Sequence, residues 1–127
     1  MAGASQGYHE AEDKLSAQTK NVHRALVSLQ EELEAIDWYR QRADATDNEA
    51  LKAVLIHNME EEVEHACMVL EWLRRDVPVF DKNLRIYLFQ TQPITEIEEK
   101  EETPKDEAQR EKQPGRKGFT VGTMKGE

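Results

Sequence analysis

The sequence predicts an all-α protein with an antiparallel hairpin of two long helices, a short third helix and a C-terminal tail. Neither glycine nor proline occurs between residues 8 and 77, so no helix-breaking residue interrupts this stretch. Apolar residues recur there every three or four positions, which is the spacing of one helix face. The 127 residues are 34% charged and 38% hydrophobic. This composition suits one domain with a narrow apolar seam rather than a thick core.

The first helix is predicted to run from about Asp13 to Ala43. Its apolar residues form one stripe, as expected of a helix that packs against a neighbour along one side. The break comes at residues 44–48, which are mostly polar. The stripe consists of Val22, Ala25, Leu26, Leu29, Leu33, Ile36 and Ala43.

The second helix is predicted to begin at Thr46, because Thr46 followed by Glu49 is a capping-box signature, and to run to about Arg75. The connection between the two helices is only a few residues long, so they must form an antiparallel hairpin. The apolar stripe of the second helix consists of Leu51, Leu55, Val69, Trp72 and Leu73.

A short third helix is predicted from Pro78 to about Phe89, since proline suits the first turn of a helix. Pro93 is expected to end the ordered part of the chain. The helical domain is therefore assigned to residues 1–95.

Residues 96–127 are expected to form a disordered tail, because they hold few apolar side chains and show no helical periodicity. The charge of this segment changes from acidic to basic along the chain. Residues 118–126 differ from the rest of the tail, since three apolar side chains stand among polar neighbours, as in a short docking peptide. These side chains are Phe119, Val121 and Met124.

Charge and composition exclude several classes of function. The formal charge of −9 disfavours nucleic acid as a partner, since phosphate binding requires a basic face. The absence of glycine from the helical stretch removes the phosphate-binding loops of nucleotide enzymes. A single cysteine, Cys67, and an N-terminus without a signal-peptide pattern lead us to expect a reduced, cytoplasmic setting. No apolar run approaches the length of a membrane span.

Three polar side chains fall on or beside the apolar stripes. On the second helix, Glu62 lies about 20° and His65 about 40° from Leu51 around the helix axis. On the first helix, Glu32 borders the stripe. Glu32 precedes Thr46 by 14 residues, whereas Glu62 and His65 follow it by 16 and 19. The three side chains are therefore predicted to meet across the hairpin.

A metal ion would explain acidic side chains in an apolar seam, because no lysine or arginine lies on the stripe beside Glu62 to compensate the burial of its charge. Carboxylate-bridged di-iron sites in four-helix bundles use two Glu-x-x-His pairs and two further glutamates, and this chain carries half of that set. A second copy related by a twofold axis would supply the other half. The alternative is a dimeric helical scaffold without metal, since Glu62 also belongs to an acidic run typical of a solvated face.

The chain resembles the encapsulated ferritin family over roughly residues 20–95. The segments that carry the resemblance are 31–39 (EELEAIDWY), 57–65 (HNMEEEVEH), 70–75 (LEWLRR), 86–89 (IYLF) and 93–95 (PIT). The resemblance implies a ferritin-like four-helix bundle completed by dimerisation and assembled as a decameric ring. It also implies a ferroxidase that oxidises Fe²⁺ to Fe³⁺ with O₂ at a di-iron centre in the dimer interface.

By the same resemblance, Glu32, Glu62 and His65 are the iron ligands, and Tyr39 lies beside the centre. Accessory metal positions, with Ca²⁺ as a candidate ion, fall on two further groups. One group is Glu31 and Glu34, which share a sector of the first helix with Trp38 and suggest a route for iron. The other group is His57, Glu61 and Glu64. A solvated acidic surface is the alternative for both groups.

The segment 118–126 resembles the peptide that docks such cargo onto the inner wall of an encapsulin shell. This resemblance implies a cytoplasmic protein held inside an encapsulin nanocompartment that stores and detoxifies iron. Two alternatives remain open at the level of sequence. One is a rubrerythrin-like di-iron protein that scavenges peroxide, and the other is a non-enzymatic helical shell adaptor.

Overall fold

The computed structural model describes the backbone of residues 7–101 and the side chains of residues 7–98. Every regular element in this part of the chain is helical, which confirms the predicted fold class. A 3₁₀ turn at Glu12–Lys14 is followed by helices α1 (Ala17–Ala45), α2 (Glu49–Asp76), α3 (Pro78–Tyr87) and α4 (Ile94–Glu101). None of the described helices is both long and apolar enough to span a bilayer.

Helix α1 begins later than the predicted Asp13. Ser16 is its N-cap, and the Ser16 hydroxyl accepts a hydrogen bond from the backbone N–H of Thr19 at 3.0 Å. Asp13 belongs instead to the 3₁₀ turn that precedes this cap. Lys20 on α1 forms an ion pair with Glu12 in that turn at 3.6 Å. The residues before α1 are thus folded back against its first turns.

The predicted capping box at Thr46 is wrong. The cap of α2 is Asn48, whose side-chain Oδ1 accepts the backbone N–H of Leu51 at 2.9 Å. Thr46 is the C-cap of α1, and its hydroxyl accepts the backbone N–H of Asn48 at 3.2 Å. Asparagine is among the best N-cap residues, and Asn48 lies two residues closer to α2 than Thr46 does.

The chain divides after Trp72 into two compact units. The first unit contains α1 and most of α2, which form the predicted antiparallel hairpin. This unit has few buried side chains, with Ala43 and Ala66 as examples. Each apolar stripe has large exposed side chains, including Leu33 at 53% and Leu51 at 48%. The single chain therefore leaves a large part of its apolar surface open.

The second unit contains α3, α4 and the end of α2. Asp81 is nearly buried and accepts hydrogen bonds from Arg74 and Arg85, at 2.5 and 2.9 Å, which joins α3 to the end of α2. Helix α3 ends at Tyr87 instead of Phe89, because Phe89 has a φ of 61°, outside the helical region.

The expected end of the ordered part at Pro93 is also wrong. Helix α4 follows Pro93 directly, with the N–H of Glu96 bonded to the carbonyl of Pro93 at 3.0 Å, and it contacts α3. Ile97 is buried in this unit at 4% exposure. A buried isoleucine stabilises a short helix whose periodicity is too brief to be seen in the sequence.

Candidate metal centre

The structure brings Glu32, Glu62 and His65 together. One possible ligand atom from each side chain lies within 4.8 Å of the other two. The Nδ1 atom of His65 is 3.3 Å from Oε1 of Glu62 and 3.7 Å from Oε1 of Glu32. Among the residues that the structure describes, this is the one group of three or more histidine, cysteine or acidic side chains close enough to hold a metal ion.

The hairpin explains why these side chains meet. Glu62 and His65 are three residues apart on α2, so they project from adjacent positions of one helix face. Glu32 projects from α1 at the same height. Because side chains lean towards the N-terminus of their own helix, those of antiparallel helices lean in opposite directions. This leaning narrows the gap between Glu32 and His65.

The site is only partly buried in the single chain. The side chains of Glu32 and Glu62 are 25% and 24% exposed, and that of His65 is 46% exposed. Partial exposure lowers the desolvation cost of the two carboxylates, so their charges do not by themselves require a metal. It also leaves one side of the cluster open to another group.

The closeness of the two carboxyl groups separates their pKa values, because a proton on one can form a hydrogen bond to the other. The bond with Glu62 raises the pKa of Glu32, and burial and the charge of Glu62 act in the same direction. The bond with Glu32 lowers the pKa of Glu62, as do the bond with His65 and its charge, against an opposing effect of burial. Glu32 is therefore the carboxyl that holds the proton longest, and a cation would displace it.

The ligand set fits a divalent first-row metal ion. Two carboxylates and one imidazole supply oxygen and nitrogen ligands of the kind that Fe²⁺ accepts. The same ligands also bind Zn²⁺ or Mn²⁺, so the side chains alone do not select iron. One chain offers three ligand groups, which leaves most of the coordination of two ions to water or to a second copy.

Tyr39 lies on α1 two turns beyond Glu32, a rise of about 10.5 Å, and close to the same side of the helix. Its half-buried ring is covered by the Arg42 guanidinium, 5.7 Å from the ring centre. The contact with Arg42 was missed in the sequence, although a spacing of three residues on a helix could have indicated it.

The accessory positions do not form a comparable cluster. His57 and Glu61 approach each other to 3.7 Å as an exposed i, i+4 pair, but Glu64 does not join them within metal-binding distance. Glu31 and Glu34 likewise belong to no group of three ligands in the described part of the chain. The Trp38 side chain beside them is half exposed.

The docking segment 118–126 lies outside the described residues. Its role and the division of the chain at residue 95 stay predictions.

A family model described as EncFtn-like matches residues 7–91. The encapsulated ferritin-like protein of Rhodospirillum rubrum is 45% identical, with 100% of this chain and 94% of that protein aligned. The ferritin-like protein of Thermotoga maritima is 52% identical over 72% of this chain and 81% of its own length. The crystal structure of protein ne0167 from Nitrosomonas europaea is 55% identical, with a TM-score of 0.67 and coverage of 69% and 97% of the two chains.

The encapsulin nanocompartment cargo protein EncC of Myxococcus xanthus is 37% identical to this chain. This match covers 54% of this chain and 52% of EncC. It is shorter than the matches to the Rhodospirillum and Thermotoga proteins.

Proposed function

This chain belongs to the EncFtn-like family, and we propose that it is a ferroxidase that oxidises Fe²⁺ to Fe³⁺ at a di-iron site shared by two copies. The observation that carries the proposal is the meeting of Glu32, Glu62 and His65 across the hairpin. Bridging carboxylates and one imidazole per metal are the recurring ligands of di-iron sites in helical bundles.

Two copies complete both the ligand set and the charge balance. A twofold axis beside the cluster doubles it to four carboxylates and two imidazoles. The four negative charges then offset the four positive charges of two Fe²⁺ ions. The exposed side of the cluster provides the opening through which the second copy contributes its ligands.

Exposed apolar residues on the hairpin support dimerisation. Leu51 lies about 20° from Glu62 around α2, and nearly half of its surface is exposed. Burial of such side chains against a second hairpin would supply association energy and exclude water from the site. The product would be a four-helix bundle built from two chains.

Iron is the substrate in this proposal. Two Fe²⁺ ions each give one electron, so that O₂ and two protons become H₂O₂ while both ions become Fe³⁺. Within the chain, the carboxylates of Glu32 and Glu62 both become ligands. His65 supplies a neutral nitrogen. Carboxylates can shift their coordination as the charge on the iron rises, which keeps both oxidation states bound.

The remaining parts of the proposal concern assembly and location. The names of the Rhodospirillum and Myxococcus relatives describe encapsulated or encapsulin-cargo proteins, and they support the same role here. We infer that residues 118–126 dock the chain inside an encapsulin shell in the cytoplasm. A hairpin encloses no storage cavity, so a mineral-forming enzyme needs a separate container. Assembly as a decamer belongs to the same proposal.

Three further roles follow from the family in the same way. Tyr39 is assigned a place beside the di-iron centre of the assembled dimer. Glu31 and Glu34 are assigned to the route by which iron reaches it. The pair His57 and Glu61, with Glu64, is assigned to an accessory site for a cation such as Ca²⁺. The exposure of His57 and Glu61 makes such a site accessible from solvent.

The test is rapid-mixing kinetics of Fe²⁺ oxidation in air-saturated buffer. The variants Glu32→Ala and His65→Ala are expected to lose rapid oxidation, because each removes one ligand from both halves of the site. Glu60→Ala is the matched control, since Glu60 is an exposed glutamate of the same acidic run outside the cluster. Wild-type rates in either ligand variant would refute the proposal.

A further inference from the structure

We propose that Ser28 and Asn58 are positioning residues that fix the two carboxylates once iron is bound. This inference rests on the proposed function. In the described structure a carboxylate oxygen of Glu32 lies within 4.8 Å of one of Glu62, and His65 lies 3.3 Å from Glu62. An ion that takes these oxygens removes both contacts. The carboxylates then need other donors if they are to keep one orientation.

Helix geometry selects the candidate donors. A helical side chain contacts its neighbours three and four positions away and leans over the turn on its N-terminal side. For Glu32 these N-terminal neighbours are Ser28 and Leu29, and only Ser28 can donate a hydrogen bond.

The same helix geometry applies to Glu62 on α2. The N-terminal neighbours of Glu62 are Asn58 and Met59, and Asn58 is the only donor of the two. Each carboxylate therefore has one uncharged donor, in the turn over which it leans.

The surroundings of Ser28 and Asn58 support this assignment. Both side chains are half buried. Asn58 lies on the apolar stripe of α2, and Ser28 lies beside that of α1. Neither side chain makes a hydrogen bond within the described part of the chain, so each donor is available. Ser28 also lines an open groove with Ala25 and Val69, which runs along the hairpin from the turn next to the cluster. The polar atoms of both side chains reach solvent in the metal-free chain, so water satisfies them there and each donor can turn to its carboxylate when iron is bound.

The proposed contacts are specific. The hydroxyl of Ser28 donates to the carboxylate of Glu32, and the amide NH₂ of Asn58 donates to the carboxylate of Glu62, when both carboxylates are ligands. Such outer hydrogen bonds hold a ligand in its binding orientation. Loss of one typically weakens metal affinity by about 10- to 100-fold.

The experiment titrates the full-length, metal-free protein with Co²⁺, followed by calorimetry and by the visible absorption of the bound ion. Asn58→Leu and Ser28→Ala are expected to bind Co²⁺ about 10- to 100-fold more weakly, with a changed absorption spectrum. Asn58→Gln and Ser28→Thr keep a donor and are expected to restore part of the affinity. Asn83→Leu on α3 is the matched control and is expected to bind as the wild type does.

Thermal unfolding of the metal-free variants separates positioning from folding. The proposal predicts unchanged midpoints, because neither donor has a partner in the metal-free structure. Wild-type Co²⁺ affinity and spectrum in both Asn58→Leu and Ser28→Ala would overturn this inference. Glu62→Gln, measured alongside, reports on the proposed function itself. If it also binds Co²⁺ like the wild type, the metal site fails, whereas its loss of binding leaves only the positioning roles in question.

Discussion

Replacement of Leu51 tests whether the site is shared between chains. Leu51 is 48% exposed on the side of α2 that carries Glu62, so a second hairpin placed there would cover it. Leu51→Ala removes about three carbon groups, each contributing about 0.8 kcal/mol when fully buried, or about half of that for a half-exposed side chain. The loss is about 1.2 kcal/mol per chain and about 2.4 kcal/mol per symmetric dimer. The dimer dissociation constant should rise about 50-fold.

Two measurements report the effect of Leu51→Ala on dimerisation. Analytical ultracentrifugation of the metal-free protein gives the dissociation constant directly. Rapid-mixing oxidation of Fe²⁺ should then depend on protein concentration, because the rate per chain of Leu51→Ala recovers as dimers re-form. Ile56→Ala is the matched control, since Ile56 is 38% exposed but lies about 140° around the same helix.

The proposed interface would be refuted by a Leu51→Ala protein with the dissociation constant of the wild type. It would also be refuted by an oxidation rate per chain that stays low at concentrations where the dimer is complete. The first result would place the second copy on another face. The second result would mean that Leu51 supports oxidation through contacts within its own chain and not through the dimer.

The remaining predictions concern pH, the tail and the cap of α2. Affinity for Co²⁺ should fall as pH decreases, and from a higher pH than for an ordinary carboxylate site, because the raised pKa of Glu32 lets protons compete earlier. Calorimetric titrations across a pH series check this, and a pH-independent affinity would contradict it. Deletion of residues 118–127 should exclude the protein from a coexpressed encapsulin shell while the purified protein still oxidises Fe²⁺; retained encapsulation would rule out the docking role. Asn48→Ala should destabilise the metal-free protein by about 1 kcal/mol in urea unfolding, through loss of the cap of α2. An equal or larger loss in Thr46→Ala would favour the capping box instead.

The candidate site could be predicted because it depends on two regular periodicities. The 3.6-residue repeat placed Glu62 and His65 on one face of α2, and the short turn fixed the height of Glu32 opposite them. Both quantities are local, and no glycine or proline disturbs them between residues 8 and 77. The structure brings the three side chains together as predicted.

Two kinds of feature could not be predicted in the same way. One depends on competition between two possible cap residues, and the other on packing between segments that are distant in the sequence. Thr46 and Asn48 are both good caps, and the choice between them depends on where α1 ends. Helix α4 is stabilised by burial of Ile97, which its sequence of eight mostly polar residues does not reveal. The degree of exposure of Glu32 and Glu62 could not be predicted, because a helical wheel gives the direction of a side chain but not how deeply neighbouring atoms cover it.

The most direct test of the shared site is a crystal structure of the iron-loaded protein, with iron located by anomalous scattering at its absorption edge. The expected result is two iron ions close together and related by a twofold axis, bound by Glu32, Glu62 and His65 of one chain and by the same residues of its partner. Iron bound within a single chain, or a crystal in which these side chains face water and meet no second copy, would contradict it.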